Sequence, residues 1–143
     1  MRSVALVLPL LLCSAAPLVA QTAADTAAIR ATAEDYVLGW YNGDTTRMAR
    51  AVHPDLAKRN VRTPASGPSQ VRNMTAAVLV GATASRAAQP QPADRRLLEI
   101  TILTIHKNTA AVRVDSWDFV DLVHMGQVDG RWVIINDLWS NRQ

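Results

Sequence analysis

From Leu97 to Trp139 the chain passes through four apolar, β-branched stretches with no helix-length segment between them, so any fold it adopts must pair them as strands. They run from Leu97 to His106, from Thr109 to about Trp117, from Phe119 to about Val128 and from Arg131 to Trp139, and they are rich in the Val, Ile and Thr that suit a pleated, half-buried surface. Lys107-Asn108 and Asp129-Gly130 are hairpin turns by composition. No Gly or Pro separates Thr109 from Met125, so a third turn near Asp118 follows from strand length alone.

The first half reads as helix. Between Asp25 and Tyr41, the residues Ile29, Ala33, Tyr36, Val37 and Trp40 recur at spacings of three and four, the stripe of an amphipathic helix. Asn42-Gly43 ends it, Asp44 caps a second helix through Met48, Ala51 and Val52, and Pro54 stops that one. Leu56 to Arg62 is predicted as a short strand. Ser69 or Gln70 through Ala84 is predicted as a helix with Val71, Met74, Val78 and Leu79 on one side, and Ala87 to Arg96, with Pro90 and Pro92, as a surface connector. Helices followed by antiparallel strands make an α+β fold with a curved antiparallel sheet, not a doubly wound one.

Residues 1–20 carry the marks of a secretory signal: Arg2, an apolar run from Val4 to Leu12, then small residues up to a cleavage point near Ala20. The run is too short to span a bilayer, which predicts a periplasmic or secreted protein with no membrane anchor. The only cysteine, Cys13, falls within that segment, and Leu12 before it is unlike a lipoprotein signal. What remains, residues 21–143, has the size of one domain with one core. Without Arg2 the balance is 14 basic against 12 acidic residues, scattered rather than striped, so no nucleic-acid partner is expected.

Several segments together resemble the nuclear-transport-factor-2-like superfamily, and within it the group called "putative lumazine-binding". They are Ile29-Arg30-Ala31-Thr32 with Asp35-Tyr36-Val37, the run Gly39-Trp40-Tyr41-Asn42-Gly43-Asp44, Val52 to Arg59, Ala111 to Asp115, Phe119 to His124, and Asp129-Gly130-Arg131-Trp132. The resemblance implies a cone-shaped fold in which the first helix and a concave sheet enclose an apolar pocket, often in a homodimer formed through the sheet. Relatives in the superfamily include ketosteroid isomerases, dehydratases, polyketide cyclases and non-catalytic binding or association modules, so fold leaves function open.

Against the isomerase pattern, Tyr36 stands where the tyrosine donor belongs, six residues before Asn42-Gly43-Asp44. The position of the aspartate base falls at or near Asn60, which cannot take a proton. Asp115, Asp121 and His124 are candidate replacements, with His53, Asp55 and Asp118 also near element ends. The bland alternative is that Asp115 and Asp121 are structural or solvated, and that His53, before a proline, donates to a backbone carbonyl. Trp40, Trp117, Trp132 and Trp139 could wall a site for a flat ring, although Trp40 and Trp132 also fit a core. The candidate ligand-binding set is Tyr36, Trp40, Tyr41, His53, Asp115, Trp117, Asp121 and His124. The expected partner is a small apolar or aromatic molecule. No metal-ligand spacing is present, and neither a metal nor a cofactor is expected. Three functions remain: a non-catalytic binding domain, an isomerase, dehydratase or cyclase with Tyr36 as donor, and a homodimeric association module.

Overall fold

The computed structural model describes residues 18–142, with side chains from Ala23 onward; Cys13 and most of the proposed signal segment lie outside that range. A long helix α1 (Leu18–Asn42) is followed by a short α2 (Thr45–Ala51), then β1 (Val52–Arg62), β2 (Gln70–Met74), α3 (Ala76–Ala84), a single 3-10 turn at Ala93–Arg95, and four strands: β3 (Leu98–His106), β4 (Thr109–Ser116), β5 (Phe119–Val128) and β6 (Arg131–Asn141). The α1–α2 junction forms as its residues dictate. Gly43 takes φ 67°, a left-handed value that glycine adopts without strain, and the Asp44 carboxylate accepts a hydrogen bond from Arg47 N at 3.0 Å.

The six strands form one curved, unclosed sheet in the order β2-β1-β6-β5-β4-β3. Every junction is antiparallel except β1–β6, which is parallel, so the sheet is mixed where a purely antiparallel one was expected. The physical reason is topological: β1 leaves the helices in the same direction as β6 and is joined to it by no hairpin. The strand expected at Leu56 begins earlier, at Val52, and runs through Pro54. Proline, lacking an N–H, is tolerated there because the pairing with β6 is interrupted by an irregularity between Val52 and Ala57.

Gln70 to Met74 is an edge strand, a correction to the helix predicted from Ser69 or Gln70. It pairs antiparallel with Lys58 to Arg62, and the helix starts only at Ala76, where the Thr75 hydroxyl caps Val78 N. The connector from Ala87 to Arg96 does run over the surface, but it is riveted down. Gln91 is buried: its N–H donates to Tyr41 O at 2.8 Å, its side chain accepts from Arg86 and donates to Arg95 O, and its carbonyl accepts from Arg96.

The core lies between the helices and the inner sheet face, where Ile29, Ala33 and Val37 of α1 meet Val112, Val114, Val123 and Ile134. Trp132 is buried there, its indole N–H donating to Asp25 Oδ1 while its carbonyl accepts from Thr32. Among the described residues, no helix is long and apolar enough to cross a membrane.

Candidate functional site: a charged cluster beneath an aromatic cavity

Strand alternation sends every second side chain to one face, and the buried Leu56 in β1 therefore turns Lys58 inward as well. Lys58 is opposite Asp137 across the parallel β1–β6 junction, while Asp121 of β5 is opposite Trp139 of β6. Those registers bring an ammonium and two carboxylates together under α1, where Tyr36 descends from the helix stripe.

The Lys58 ammonium has three N–H groups and three acceptors. It donates to Tyr36 Oη at 2.7 Å, to Asp121 Oδ1 at 2.7 Å and, in a short contact, to Asp137 Oδ2. The Tyr36 hydroxyl lies 3.0 Å from Asp121 Oδ1 and 3.1 Å from Asp137 Oδ2, and its single proton can serve one of them at a time. All four side chains are buried. The second oxygen of Asp137, Oδ1, is enclosed without a hydrogen-bond partner. Burial, with the Asp121 charge beside it, pushes the Asp137 carboxyl up to about 7 against the pull of Lys58. Burial and the same two carboxylates hold the Tyr36 hydroxyl well above its ordinary value, so it is a hydrogen-bond donor, not a phenolate.

Above this cluster opens a cavity of ≈ 80 Å³. Tyr36, Lys58, Asp121 and Ser116 contribute to its wall, and the rest is apolar or aromatic: Trp40, Phe119 and Trp139 with Met48, Met74 and Leu79 among others. The three aromatic rings are arranged edge to face, Phe119 at 6.2 Å from Trp40 and 5.1 Å from Trp139. The Arg86 guanidinium lies against the Trp40 ring, 4.5 Å from its centre, and donates to the main-chain carbonyl of Trp40. The Trp40 indole N–H is enclosed without an acceptor.

Of the eight candidates, Tyr36, Trp40 and Asp121 meet at this cavity. Tyr41 is buried behind it, donating to Leu97 O at 2.6 Å and accepting from Trp117 N at 2.8 Å. Asp115 faces away and holds Arg113 in a two-point ion pair, at 2.6 and 2.7 Å, which lowers its carboxyl pKa. His53 stands at the start of β1, and its Nδ1 accepts from Asp55 N at 3.1 Å, whereas a bond donated to a carbonyl was expected. Trp117 is exposed beside the β4–β5 turn, and His124 is exposed on the outer sheet face near His106 and Asn136. Asn60 is half-buried opposite Trp139.

Lys58 and Asp137 were not singled out by sequence reasoning. Lys58 carried a signal, the two-residue alternation from Leu56; Asp137 carried none stronger than its place in an apolar strand.

The family described as "Putative lumazine-binding" matches residues 24–140. Among solved structures, the fold resembles a nuclear-transport-factor-2-like protein of unknown function from Silicibacter pomeroyi, at 16% identity and a TM-score of 0.68 over 85% of this chain and 98% of that one. It also resembles one from Shewanella baltica (17%, TM-score 0.65, 85% and 96%) and a ketosteroid isomerase-like protein from Erwinia carotovora atroseptica (16%, TM-score 0.57, 82% and 95%). No curated protein matches the sequence.

Proposed function

Because the chain belongs to the "Putative lumazine-binding" family of nuclear-transport-factor-2-like proteins, we propose that it binds a small, flat, largely apolar molecule in the cavity beneath Trp40 without transforming it. The observation that carries this reading is a cavity walled by three aromatic rings with a single charged patch at one side. At ≈ 80 Å³ it admits a small group or the leading edge of a larger flat molecule. Lumazine, a two-ring pteridinedione, is therefore the first compound to test. The cluster beside the cavity has its donors spent internally: all three Lys58 N–H groups and the Tyr36 proton go to one another and to the carboxylates.

Tryptophan fluorescence and thermal shift of the purified protein against lumazines, pterins, flavins, steroids and aromatic acids test the proposal. A saturable response that Trp40→Ala removes is expected. No response from folded protein to any class would sink the binding reading and favour an association module.

A second reading, an enzyme of the isomerase, dehydratase or cyclase type, draws on one observation. Asp137, titrating near neutrality, shares its hydrogen bonds with the Tyr36 hydroxyl, the pairing that acid–base chemistry needs. Against it, Asp137 does not reach the cavity wall, and Asp121, which does, already accepts two bonds on Oδ1. Turnover of a bound compound, with a pH inflection near 7 that disappears in Asp137→Asn, would establish it.

Export and pairing complete the proposal. Cleavage near Ala20 would deliver the domain to the periplasm or medium, and N-terminal sequencing of protein from those fractions should begin near Gln21; intact Met1 there would refute the cut. A homodimer would use the outer sheet face, where Leu122 and Leu138 lie opposite one another and exposed.

A further inference from the structure

Internal bonds use up most of what the cavity wall could offer a ligand. The Lys58 ammonium has no N–H left. The Tyr36 proton is engaged by a carboxylate. The Ser116 hydroxyl donates to Phe119 O at 3.1 Å and accepts from Phe119 N at 3.3 Å. Both bonds that Asp121 accepts end on Oδ1. Its Oδ2 makes none, yet it is not sealed off: among the described residues, the side-chain polar atoms that are both enclosed and unpartnered are Trp40 Nε1 and Asp137 Oδ1. Asp121 lines the cavity and its side chain keeps 3% of its surface, whereas that of Asp137 keeps none. The open polar side-chain atom of the wall is therefore a carboxylate oxygen with its lone pairs unused.

The charges beneath it do not balance. Asp121 of β5 and Asp137 of β6 bring two negative charges, Lys58 of β1 brings one positive charge, and Tyr36 of α1 is held neutral. Arg86, on the far side of Trp40, is turned to that ring and to Gln91. Burial and the repulsion between the carboxylates make Asp137 keep a proton up to about 7, as a cluster one cation short would. The wall also suits a positive charge. The Lys58 ammonium lies 5.4 Å from the centre of the Tyr36 ring and 4.9 Å from that of Trp139, and Arg86 lies against Trp40, so three of the four rings around the cavity already face cations. Lys58 opposes a second cation, but it lies between two carboxylates that outnumber it.

We propose that the cavity selects a flat ligand with a cationic N–H edge, a protonated ring amine or an amidinium, which donates to Asp121 Oδ2 and brings the buried cluster to two charges of each sign. This rests on the binding reading above and narrows its ligand class. Aromatic acids are excluded, because their carboxylate would face Asp121 with every Lys58 proton taken. Steroid-like hydrocarbons are poor ligands because they leave the surplus negative charge uncompensated. Binding is linked to protons as well. Below about pH 7 Asp137 carries the proton that the ligand cation replaces, so affinity for a cation rises with pH through that range, and affinity for a neutral molecule of the same shape does not.

The test uses three probes of one shape and different charge on the purified protein, followed by calorimetry: benzamidine, a cation; benzamide, its neutral counterpart; and benzoate, an anion. Expected at pH 8 are an affinity for benzamidine about tenfold or more above that for benzamide and no binding of benzoate. Between pH 8 and pH 6 the benzamidine affinity should fall about fivefold or more, with that of benzamide unchanged. Both readings use the unaltered protein and decide the matter even where a variant fails to fold. In Asp121→Asn, which keeps the shape but not the charge, the preference for benzamidine should shrink to about twofold or less, and in Asp137→Asn the pH dependence should vanish. Equal affinities for benzamidine and benzamide, benzoate as the tightest ligand, a preference that survives Asp121→Asn or a pH dependence that survives Asp137→Asn overturns the assignment and leaves ligand binding standing. Silence from all three probes alongside a saturable response to an uncharged or acidic ring compound overturns it too, and silence from every compound class removes both readings.

Discussion

Lys58 sits among three oxygens with one bond to each, and its position shows how a single buried charge can decide a site. Removing one partner of a buried ion cluster leaves the others uncompensated, which typically costs about 3–5 kcal/mol. Lys58→Met should therefore lower stability by about that much at pH 7, which urea unfolding checks. The wild type has its own pH signature. The Asp137 carboxyl is raised from its ordinary value to about 7, so the native state holds a proton that the unfolded chain has released. That contribution is fully present below about pH 4 and is lost as pH rises toward 7. Stability should fall across that window, and Asp137→Asn should flatten the fall. Asp35 and Asp115, lowered by Arg50 and Arg113, act in the opposite sense and only at more acid pH. In the sequence Lys58 reads as half of an adjacent basic pair, because lysine in a strand is ordinarily exposed. Only the partners supplied by distant strands make its burial sensible, and those are not local.

Two glycines test the local logic of the elements with opposite signs. A Cβ on Gly43 would overlap the backbone of Ala87 in a conformation already at φ 67°, so Gly43→Ala should destabilise by about 2 kcal/mol or more. Gly81, inside α3, has nothing within 4 Å of that position, and Gly81→Ala should stabilise by about 0.5–1 kcal/mol. Equilibrium unfolding of both variants decides the pair. The four final strands and the α1–α2 junction were legible because turn residues and periodicity act within a few residues of themselves. β2 was not: Val71, Met74 and Val78 have helical spacing, yet Val71 pairs with Val61 across β1–β2 and both are exposed. The helix starts only after Thr75, whose hydroxyl caps it. Trp40 and Tyr36 stand on the helix stripe that the sequence shows, and Asp121, named as one of several carboxylates near element ends, meets them at the cavity. Asp115 and His124 are on the outer face: Asp115 alternates with the inward Val112 and Val114, and His124 lies an odd number of residues from Asp121 on the same strand.

For the molecule as a whole, the outer sheet face is where assembly would be decided. Leu122 and Leu138 are 45% and 52% exposed beside each other, and Arg59 and Arg113 lie on the strands flanking them. If two copies meet there, Leu138→Lys should convert a dimer to a monomer in sedimentation velocity without altering the cavity, and an unchanged sedimentation coefficient would remove this face from consideration. The same sheet also sets the timing of folding. β6, the last of the described strands in chain order, lies between β1 and β5, so the β1–β2 pair and the β3–β4–β5 meander have no shared hydrogen bonds until it is in place. Its residues carry Asp137 and Trp139, and neither the charged cluster nor the aromatic wall is complete before then. A chain in which β6 has not yet docked therefore holds two unjoined half-sheets, and whatever meets it in that state meets an open chain, not a closed domain.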